Sequence, residues 1–238
     1  MKLLSHVLVA GALVLLGLPA HALVLGQIDT FQDGTTAGWQ INLLGMGGSL
    51  TPPHVVATGG PTGANDSYLE LSATGVPGPG GRLTALNPAQ WAGDYIALGI
   101  PTLEMDLRNL SVTDLSIRLL FENPVGAPPA DVAISNASIF LPAGSGWTHA
   151  VFTIDPTLFT ALAGTATGAL STSTILRLVH APTPTFPGPN VTAVLGVDNF
   201  SAGPVERPGP FNDVPEPSAL LLLTAGAAAL ALGRRPRR

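Results

Sequence analysis

The sequence predicts an all-β fold, either an antiparallel sandwich or a barrel, and three observations support this. Short apolar runs alternate with turn clusters along the central part of the chain. The 238 residues include 28 glycines and 23 prolines, which favour turns and interrupt helices. Charged residues make up only 11% of the chain, so the residues that usually support helical surfaces are scarce.

The predicted strands lie between residues 24 and 200, and the clearest of them alternate in polarity. In Leu103–Leu107 the odd positions are apolar and the even positions are acidic, which predicts one buried and one solvated face. One short helix is predicted over Asp155–Leu162, because Pro156 suits the first helical position. The predicted strands are residues 24–31, 39–44, 67–72, 82–86, 102–106, 115–121, 133–140, 149–154, 175–179 and 193–200.

The N-terminal segment has the layout of a secretory signal peptide. Lys2 supplies a short positive region, and Leu3–Leu18 is almost entirely apolar. Small residues then occupy the positions that signal peptidase prefers, so cleavage is predicted between Ala22 and Leu23. Residues 1–22 are therefore expected to form a signal helix that the mature protein lacks.

The C-terminal segment has three zones in a fixed order. Residues 219–233 are apolar, and a cluster of arginines follows them. A helix over these residues and Ser218 spans about 24 Å, which is short against a hydrocarbon core of about 30 Å. We expect a single hydrophobic helix that holds the chain in the inner membrane for a limited time. A proline-rich motif precedes it, made of Val214, Pro215, Glu216, Pro217 and Ser218.

This order of motif, apolar segment and terminal arginines resembles the PEP-CTERM sorting signal of exopolysaccharide-producing Gram-negative bacteria. The resemblance implies export through the Sec machinery and processing by exosortase, an inner-membrane enzyme. It also implies an inner-membrane-anchored precursor that is delivered to the cell surface or extracellular matrix. The predicted organisation is a signal peptide (1–22), a β-sandwich domain (23–200), a Pro-rich linker (201–213) and a sorting tail (214–238).

Composition excludes several classes of function. Residues 23–213 contain five arginines, fourteen acidic residues and no lysine, which gives a formal charge of −9. Such a surface repels phosphate backbones, so no nucleic-acid partner is expected. The chain has no cysteine, which excludes disulfides, thiolate metal sites and cysteine nucleophiles.

The two ends of the central domain resemble the jelly-roll carbohydrate-binding and galactose-binding-like modules. Phe31, Asp33-Gly34 and Trp39 match their N-terminal stretch, and Val197-Asp198-Asn199 matches their last strand. The resemblance implies a jelly-roll-type antiparallel β-sandwich in which these two stretches lie side by side.

A structural Ca²⁺ is the cofactor that this resemblance implies. Its carboxylate ligands would be Asp29, Asp33 and Asp198, because calcium prefers oxygen ligands. The alternative is that Asp33-Gly34 forms a turn and that Asp198 and Asn199 cap the end of a strand through backbone hydrogen bonds.

Aromatic residues are few, and Trp91 and Tyr95 are the predicted glycan contacts because they lie in loop-like sequence beside Asp94. The alternative is that both rings hold this loop against the sandwich.

No catalytic residues are predicted. Glu104 and Asp106 share one strand face, but a solvated face explains them without chemistry. Ser145, His149 and Asp155 lack the Gly-x-Ser-x-Gly elbow of a serine hydrolase.

The sequence thus predicts a non-enzymatic surface or matrix protein associated with exopolysaccharide or biofilm, with polysaccharide as a partner. The alternatives are a secreted hydrolase, a glycosidase or esterase with a site built from distant loops, and a purely structural surface protein.

Overall fold

The computed structural model describes residues 23–41, 51–123, 129–173 and 175–204. The chain divides into two compact units, Met1–Val205 and Glu206–Arg238, and every described residue belongs to the first. The predicted signal helix, the sorting motif and the hydrophobic segment 219–233 lie outside the described residues. Among the residues that are described, no helix has the length and apolar character needed to cross a membrane.

The described chain forms two antiparallel sheets, so the prediction of an all-β sandwich is confirmed. The strands are β1 (Ile28–Asp29), β2 (His54–Val56), β3 (Tyr68–Thr74), β4 (Thr84–Asn87), β5 (Thr102–Asn109), β6 (Leu115–Asn123), β7 (Asp131–Ser135), β8 (Ile139–Leu141), β9 (Thr148–Thr153), β10 (Phe159–Ala163), β11 (Ile175–His180) and β12 (Thr192–Ala202). One short helix, α1, covers Ala166–Ser171.

Strand order differs from sequence order in both sheets. The first sheet runs β2-β3-β12-β5-β9, with β1 on β12. The second runs β10-β7-β6-β11-β4, with β8 on β6. Because β12 pairs with β1, β3 and β5, the last strand lies in the middle of the first sheet.

The main core lies between the two sheets. From β5 it takes Leu103, Met105 and Leu107, as the alternation of that strand predicts, and from β6 it takes Ile117 and Phe121. The acidic positions of β5 therefore face away from the core.

The outer face of the second sheet is covered. Leu120, Ile134 and Val179 form a separate buried apolar cluster on that face, against which Phe186 packs. The pair of Arg177 and Glu122 is buried on the same face, with Nε of Arg177 2.6 Å from Oε1 of Glu122.

Local expectations differ from the structure at several elements. The predicted helix at Asp155–Leu162 is wrong: Pro156–Leu158 forms a single 3₁₀ turn, and β10 follows. The Asp155 carboxylate accepts a hydrogen bond from the backbone N–H of Thr157, and Phe159 then pairs with Ser135 of β7. This pairing stabilises extended backbone from Phe159 onward, so the 3₁₀ helix ends after a single turn.

Other boundaries also moved. The strand predicted over 133–140 is divided into β7 and β8, and β2 and α1 have no counterpart in the predicted elements. β12 continues to Ala202, two residues beyond the predicted end of the domain.

Candidate functional site

The outer face of the first sheet carries the polar side chains of β3, β5, β9 and β12, and pairing arranges them in rows. In the first row, Gly196 of β12 stands opposite Glu70 of β3 on one side and Arg108 of β5 on the other. His54 of β2 stands opposite Glu70 and lies 3.6 Å from it, Nε2 to Oε1.

The second row contains three titratable side chains. Asp106 of β5 lies opposite Asp198 of β12 and opposite His149 of β9. Like charges directly across a strand pair are unfavourable, so this row needs neighbouring donors. His149 supplies one, with Nδ1 3.3 Å from Oδ1 of Asp106 and Nε2 3.4 Å from Oε2 of Glu104.

A β-bulge in β12 supplies the other donor. The pairing of β12 with β5 shifts between Asp198 and Ser201, and Asn199 there has a φ of 50°. Its side-chain Nδ2 donates to Oδ2 of Asp106 at 2.8 Å, and its backbone N–H donates to Oδ1 of Asp198 at 2.7 Å. Bulges often re-aim side chains beside functional sites, and this one allows Asn199 to donate to both carboxylates, with its side-chain amide to Asp106 and its backbone N–H to Asp198.

Trp147 lies across this face, over the gap that Gly196 leaves. A Cβ at Gly196 would stand 2.9 Å from Cη2 of Trp147 and 3.3 Å from the ring of Tyr68. The indole meets the Tyr68 ring edge to face, with centroids 5.3 Å apart, and its Nε1 donates to the carbonyl of Gly59 at 2.9 Å. The ring is therefore fixed in place and remains partly exposed.

Tyr68, the other ring of this aromatic pair, is almost fully buried. Burial raises the pKa of its hydroxyl, and the negative charge of Glu70 raises it further, whereas Arg108 lowers it. The phenol thus stays neutral and acts as the support for Trp147.

Arg108 stands opposite Gly196, the residue that the Trp147 ring covers. Its side chain is partly buried, and its Nε is buried without a hydrogen-bond partner. Within the part of the chain that the structure describes, no ion pair or side-chain hydrogen bond engages this guanidinium.

The structure does not bring the three predicted calcium ligands together. Asp29 lies opposite Phe200 and receives N–H bonds from Trp39, Trp91 and Gln90, whereas Asp198 lies on the outer face. Asp33 is exposed, and hydrogen bonds from Thr35 lower its pKa.

No group of three or more His, Asp or Glu side chains suited to a metal occurs among residues 23–41, 51–123, 129–173 and 175–204. The donor set of Asp29 consists of N–H groups, which compete with a cation for the same oxygens. These residues do not fit a calcium ion. Next to these two stretches, Asp29 of β1 pairs with Phe200 of β12, and the Trp39 ring packs edge to face on Phe200.

Asp29 is instead a buried acceptor that joins three segments. Its Oδ2 accepts from the indoles of Trp91 at 2.8 Å and Trp39 at 3.2 Å, and its Oδ1 accepts from Gln90 at 2.6 Å. Burial raises its pKa to about 6, although these three hydrogen bonds act in the opposite direction.

Trp91 and Tyr95, the predicted glycan contacts, have no exposed surface. Trp91 packs edge to face on Phe200, and the Tyr95 hydroxyl donates to the backbone carbonyl of Trp91 at 2.7 Å. A sugar cannot stack on a ring without exposed area, so this geometry corresponds to the alternative, in which both rings hold the loop against the sandwich.

The remaining residues singled out in the sequence are the possible catalytic triad, the signal cleavage site and the sorting motif. Both ring nitrogens of His149 face Glu104 and Asp106, while Asp155 binds Thr157, so no Ser145-His149-Asp155 triad forms. Leu23, at the predicted signal cleavage site, is buried in the core; Ala22 and the motif residues 214–218 lie outside the described residues.

Sequence reasoning missed Arg108, Gly196, Tyr68 and Trp147 as site residues. One signal was available for the glycine, because an isolated glycine within a strand pattern indicates a close approach.

Comparisons with known proteins agree with this architecture and with the predicted tail. A family model described as the PEP-CTERM protein-sorting motif matches residues 213–238, which confirms the predicted sorting signal. This motif indicates an exported protein that is held transiently in a membrane. No curated protein matches the chain.

Among solved structures, the chain is similar to the family 11 carbohydrate-binding module from Clostridium thermocellum, which was solved with a β-1,3-1,4-mixed-linked tetrasaccharide. Identity is 15% and the TM-score 0.50, over 77% of this chain and 99% of that module. It is also similar to an exo-β-agarase, with 12% identity and a TM-score of 0.52, over 77% of this chain and 26% of the agarase.

At these identities the similarity concerns the fold, and it confirms the jelly-roll-type sandwich. The chain therefore consists of a β-sandwich with the fold of carbohydrate-binding modules, followed in sequence by a PEP-CTERM protein-sorting motif.

Proposed function

We propose that this protein is an exported, non-enzymatic surface or matrix protein that binds polysaccharide on the outer face of its first sheet. The observation that carries the proposal is the position of Trp147, whose partly exposed indole is fixed over Gly196 between Glu70 and Arg108. A rigid aromatic ring offers a sugar large contact area at a low entropy cost.

The groups around the ring have the chemistry that sugar hydroxyls need. A hydroxyl both donates and accepts hydrogen bonds. Glu70 and Glu104 provide acceptors on this face, and Arg108 provides donors. His149, with 44% of its side chain exposed, adds a further polar contact at the edge strand β9. Ligand sites usually combine apolar and aromatic side chains with a small number of polar groups that fix the orientation of the ligand.

The sorting motif supports the first half of the proposal. We propose that Sec exports the chain, that residues 219–233 hold the precursor in the inner membrane, and that exosortase processes it near Pro215-Glu216-Pro217. The destination would be the surface or the exopolysaccharide matrix of a Gram-negative bacterium, including a biofilm.

The proposal of a non-enzymatic role rests on the engagement of the candidate acids. Glu104 and Asp106 both face His149, and Asn199 also binds Asp106. The alternative of a secreted hydrolase predicts turnover of a glycoside or ester that is lost in Glu104→Gln.

Binding is tested with the full chain in mild detergent, by affinity electrophoresis through gels that contain neutral polysaccharides. We expect retardation by at least one of mixed-linked β-glucan, agarose and xylan, and its loss in Trp147→Ala. Phe140→Ala is the matched control, because Phe140 is 59% exposed and belongs to the second sheet. No retardation on any gel, or equal retardation of Trp147→Ala, would contradict the proposal.

A further inference from the structure

The described arginines of the sandwich have different partners, and Arg108 differs from the two that are built into the fold. Arg118 donates to the backbone carbonyls of Ala181, Ser135, Asn136 and Pro182. Arg177 makes a two-point ion pair with Glu122 at 2.6 and 3.2 Å. Arg108 makes no comparable interaction with the described residues, although its Nε is buried.

A guanidinium in this state has unused donors in a planar fork. Burial of its Nε removes water from one edge of the group, which costs free energy unless a partner compensates. A structural role would normally pair the group, as it does for Arg118 and Arg177. The unpaired state is suited to a partner that arrives from outside.

The place of Arg108 in the rows defines what can reach it. It stands opposite Gly196, which has no side chain, so the space over this position is filled by the indole of Trp147. A sugar that lies against the Trp147 ring would therefore lie next to the strand position that Arg108 occupies. Two vicinal hydroxyl oxygens match the spacing of an arginine fork, as two carboxylate oxygens do.

The neighbouring charges decide between these two kinds of ligand. Glu70 lies on the other side of Gly196, and Asp106 and Glu104 are the preceding outward positions of β5. Residues 23–213, the domain together with the linker, carry a formal charge of −9. A carboxylated sugar would be attracted by the guanidinium of Arg108 but repelled by the surrounding carboxylates. A neutral sugar is not repelled, and its hydroxyl groups can donate hydrogen bonds to the same carboxylates.

We infer that Arg108 is the specificity-determining contact of this face, and that the ligand is an uncharged glycan which presents vicinal hydroxyls to it. This inference rests on the proposed function and adds the class of ligand and the residue that selects it. The guanidinium donates to two sugar oxygens while Trp147 supports the ring, and the surrounding carboxylates reject uronic acids.

The experiment uses the full chain in mild detergent and three pairs of probes: soluble mixed-linked β-glucan, agarose oligosaccharides and xylan, each before and after introduction of carboxylates. Isothermal titration should give tighter binding of a neutral polysaccharide than of its carboxylated form, by about tenfold or more. Arg108→Gln should weaken that binding by about tenfold or more, as expected for loss of hydrogen bonds to a charged donor.

Two variants complete the design. Arg82→Gln is the matched control, because Arg82 also has a buried, unpartnered Nε but lies outside the named strands, where its backbone forms an isolated bridge with Asn190. Arg108→Lys keeps the charge and removes the fork, so it should bind at least about threefold more weakly than the wild type. Unchanged melting temperatures would show that the variants are folded.

The outcomes separate this inference from the proposed function. Binding that depends on Trp147 and is unchanged in Arg108→Gln overturns the inference and leaves the proposed function standing. Preference for a carboxylated probe, or full binding by Arg108→Lys, also overturns it. If none of the probes binds, the proposed function fails, and the inference fails with it.

Discussion

Trp147 and Gly196 are in direct contact on the outer face of the first sheet. A Cβ built on Gly196 would lie 2.9 Å from Cη2 of the indole, closer than such atoms normally approach. The absence of a side chain at this one position of β12 is therefore what allows the ring to lie on the sheet, beside Tyr68.

Gly196→Val should displace the indole and weaken polysaccharide binding by about tenfold or more, because the platform loses its position. Tryptophan fluorescence should report the displacement, and titration the loss of binding. Gly146→Ala is the control, since a Cβ at Gly146 meets no atom within 4 Å. Normal binding by Gly196→Val would contradict the assigned role of Trp147.

Asp29 should make stability depend on pH. Its pKa is about 6 in the folded state against an ordinary value of 3.8, so the folded state holds the proton more tightly than the unfolded chain. The free energy of unfolding should therefore fall as pH rises from about 4 to 6, by up to about 3 kcal/mol. Denaturant titrations at a series of pH values measure this change.

Asp29→Asn tests the assignment. Its Oδ1 can accept from both indoles, and the Gln90 amide can rotate to accept from its Nδ2, so the variant should fold and lose this pH dependence. His180 stays in both proteins; burial lowers its pKa, so its effect has the opposite sign below pH 6.5 and cancels in the comparison. Identical pH profiles for the two proteins would contradict the prediction.

The buried pair of Arg177 and Glu122 should respond asymmetrically to mutation. Glu122→Leu leaves the guanidinium uncompensated among Leu120 and Ile134, and should cost about 3–5 kcal/mol of unfolding free energy. Replacement of both partners by leucine should recover most of this loss. Chemical denaturation of the three proteins measures both effects, and a double variant no more stable than Glu122→Leu would argue against the ion-pair explanation.

The tail should direct location without contributing to the fold. Truncation after Asp213 removes the motif, the apolar segment and the terminal arginines. We expect the truncated protein to be exported but lost from the membrane fraction of a host that lacks exosortase, in which the unprocessed full chain stays in that fraction. Fractionation and immunoblotting measure the amount of each protein in the membrane. Both proteins keep the predicted signal peptide, residues 1–22. Equal membrane retention of both proteins would contradict the sorting role.

Local sequence predicted the elements that depend on local patterns. The alternation of Leu103–Leu107 predicted which side of β5 is buried, because side chains alternate along any strand. The same rule places Glu104 and Asp106 together on the outer face, as the structure does. The helix at Asp155–Leu162 failed because pairing of β10 with β7 outweighed a local helix-start signal.

The site depends on contacts between distant parts of the chain. No local sequence pattern predicts that Asp198 lies opposite Asp106, because the pairing of β12 with β5 sets that register. The contacts of Asp29 depend on distant residues in the same way: its carboxylate meets two indoles brought from positions 39 and 91, which sequence spacing does not reveal.

The most direct test of the account is carbene footprinting of the full chain with and without a saturating neutral polysaccharide that it binds. We expect the ligand to protect Trp147, His149 and His54 on the first sheet, while Phe140 and Leu158 are labelled equally in both samples. Protection of Phe140 and Leu158 with no change at Trp147 would contradict it.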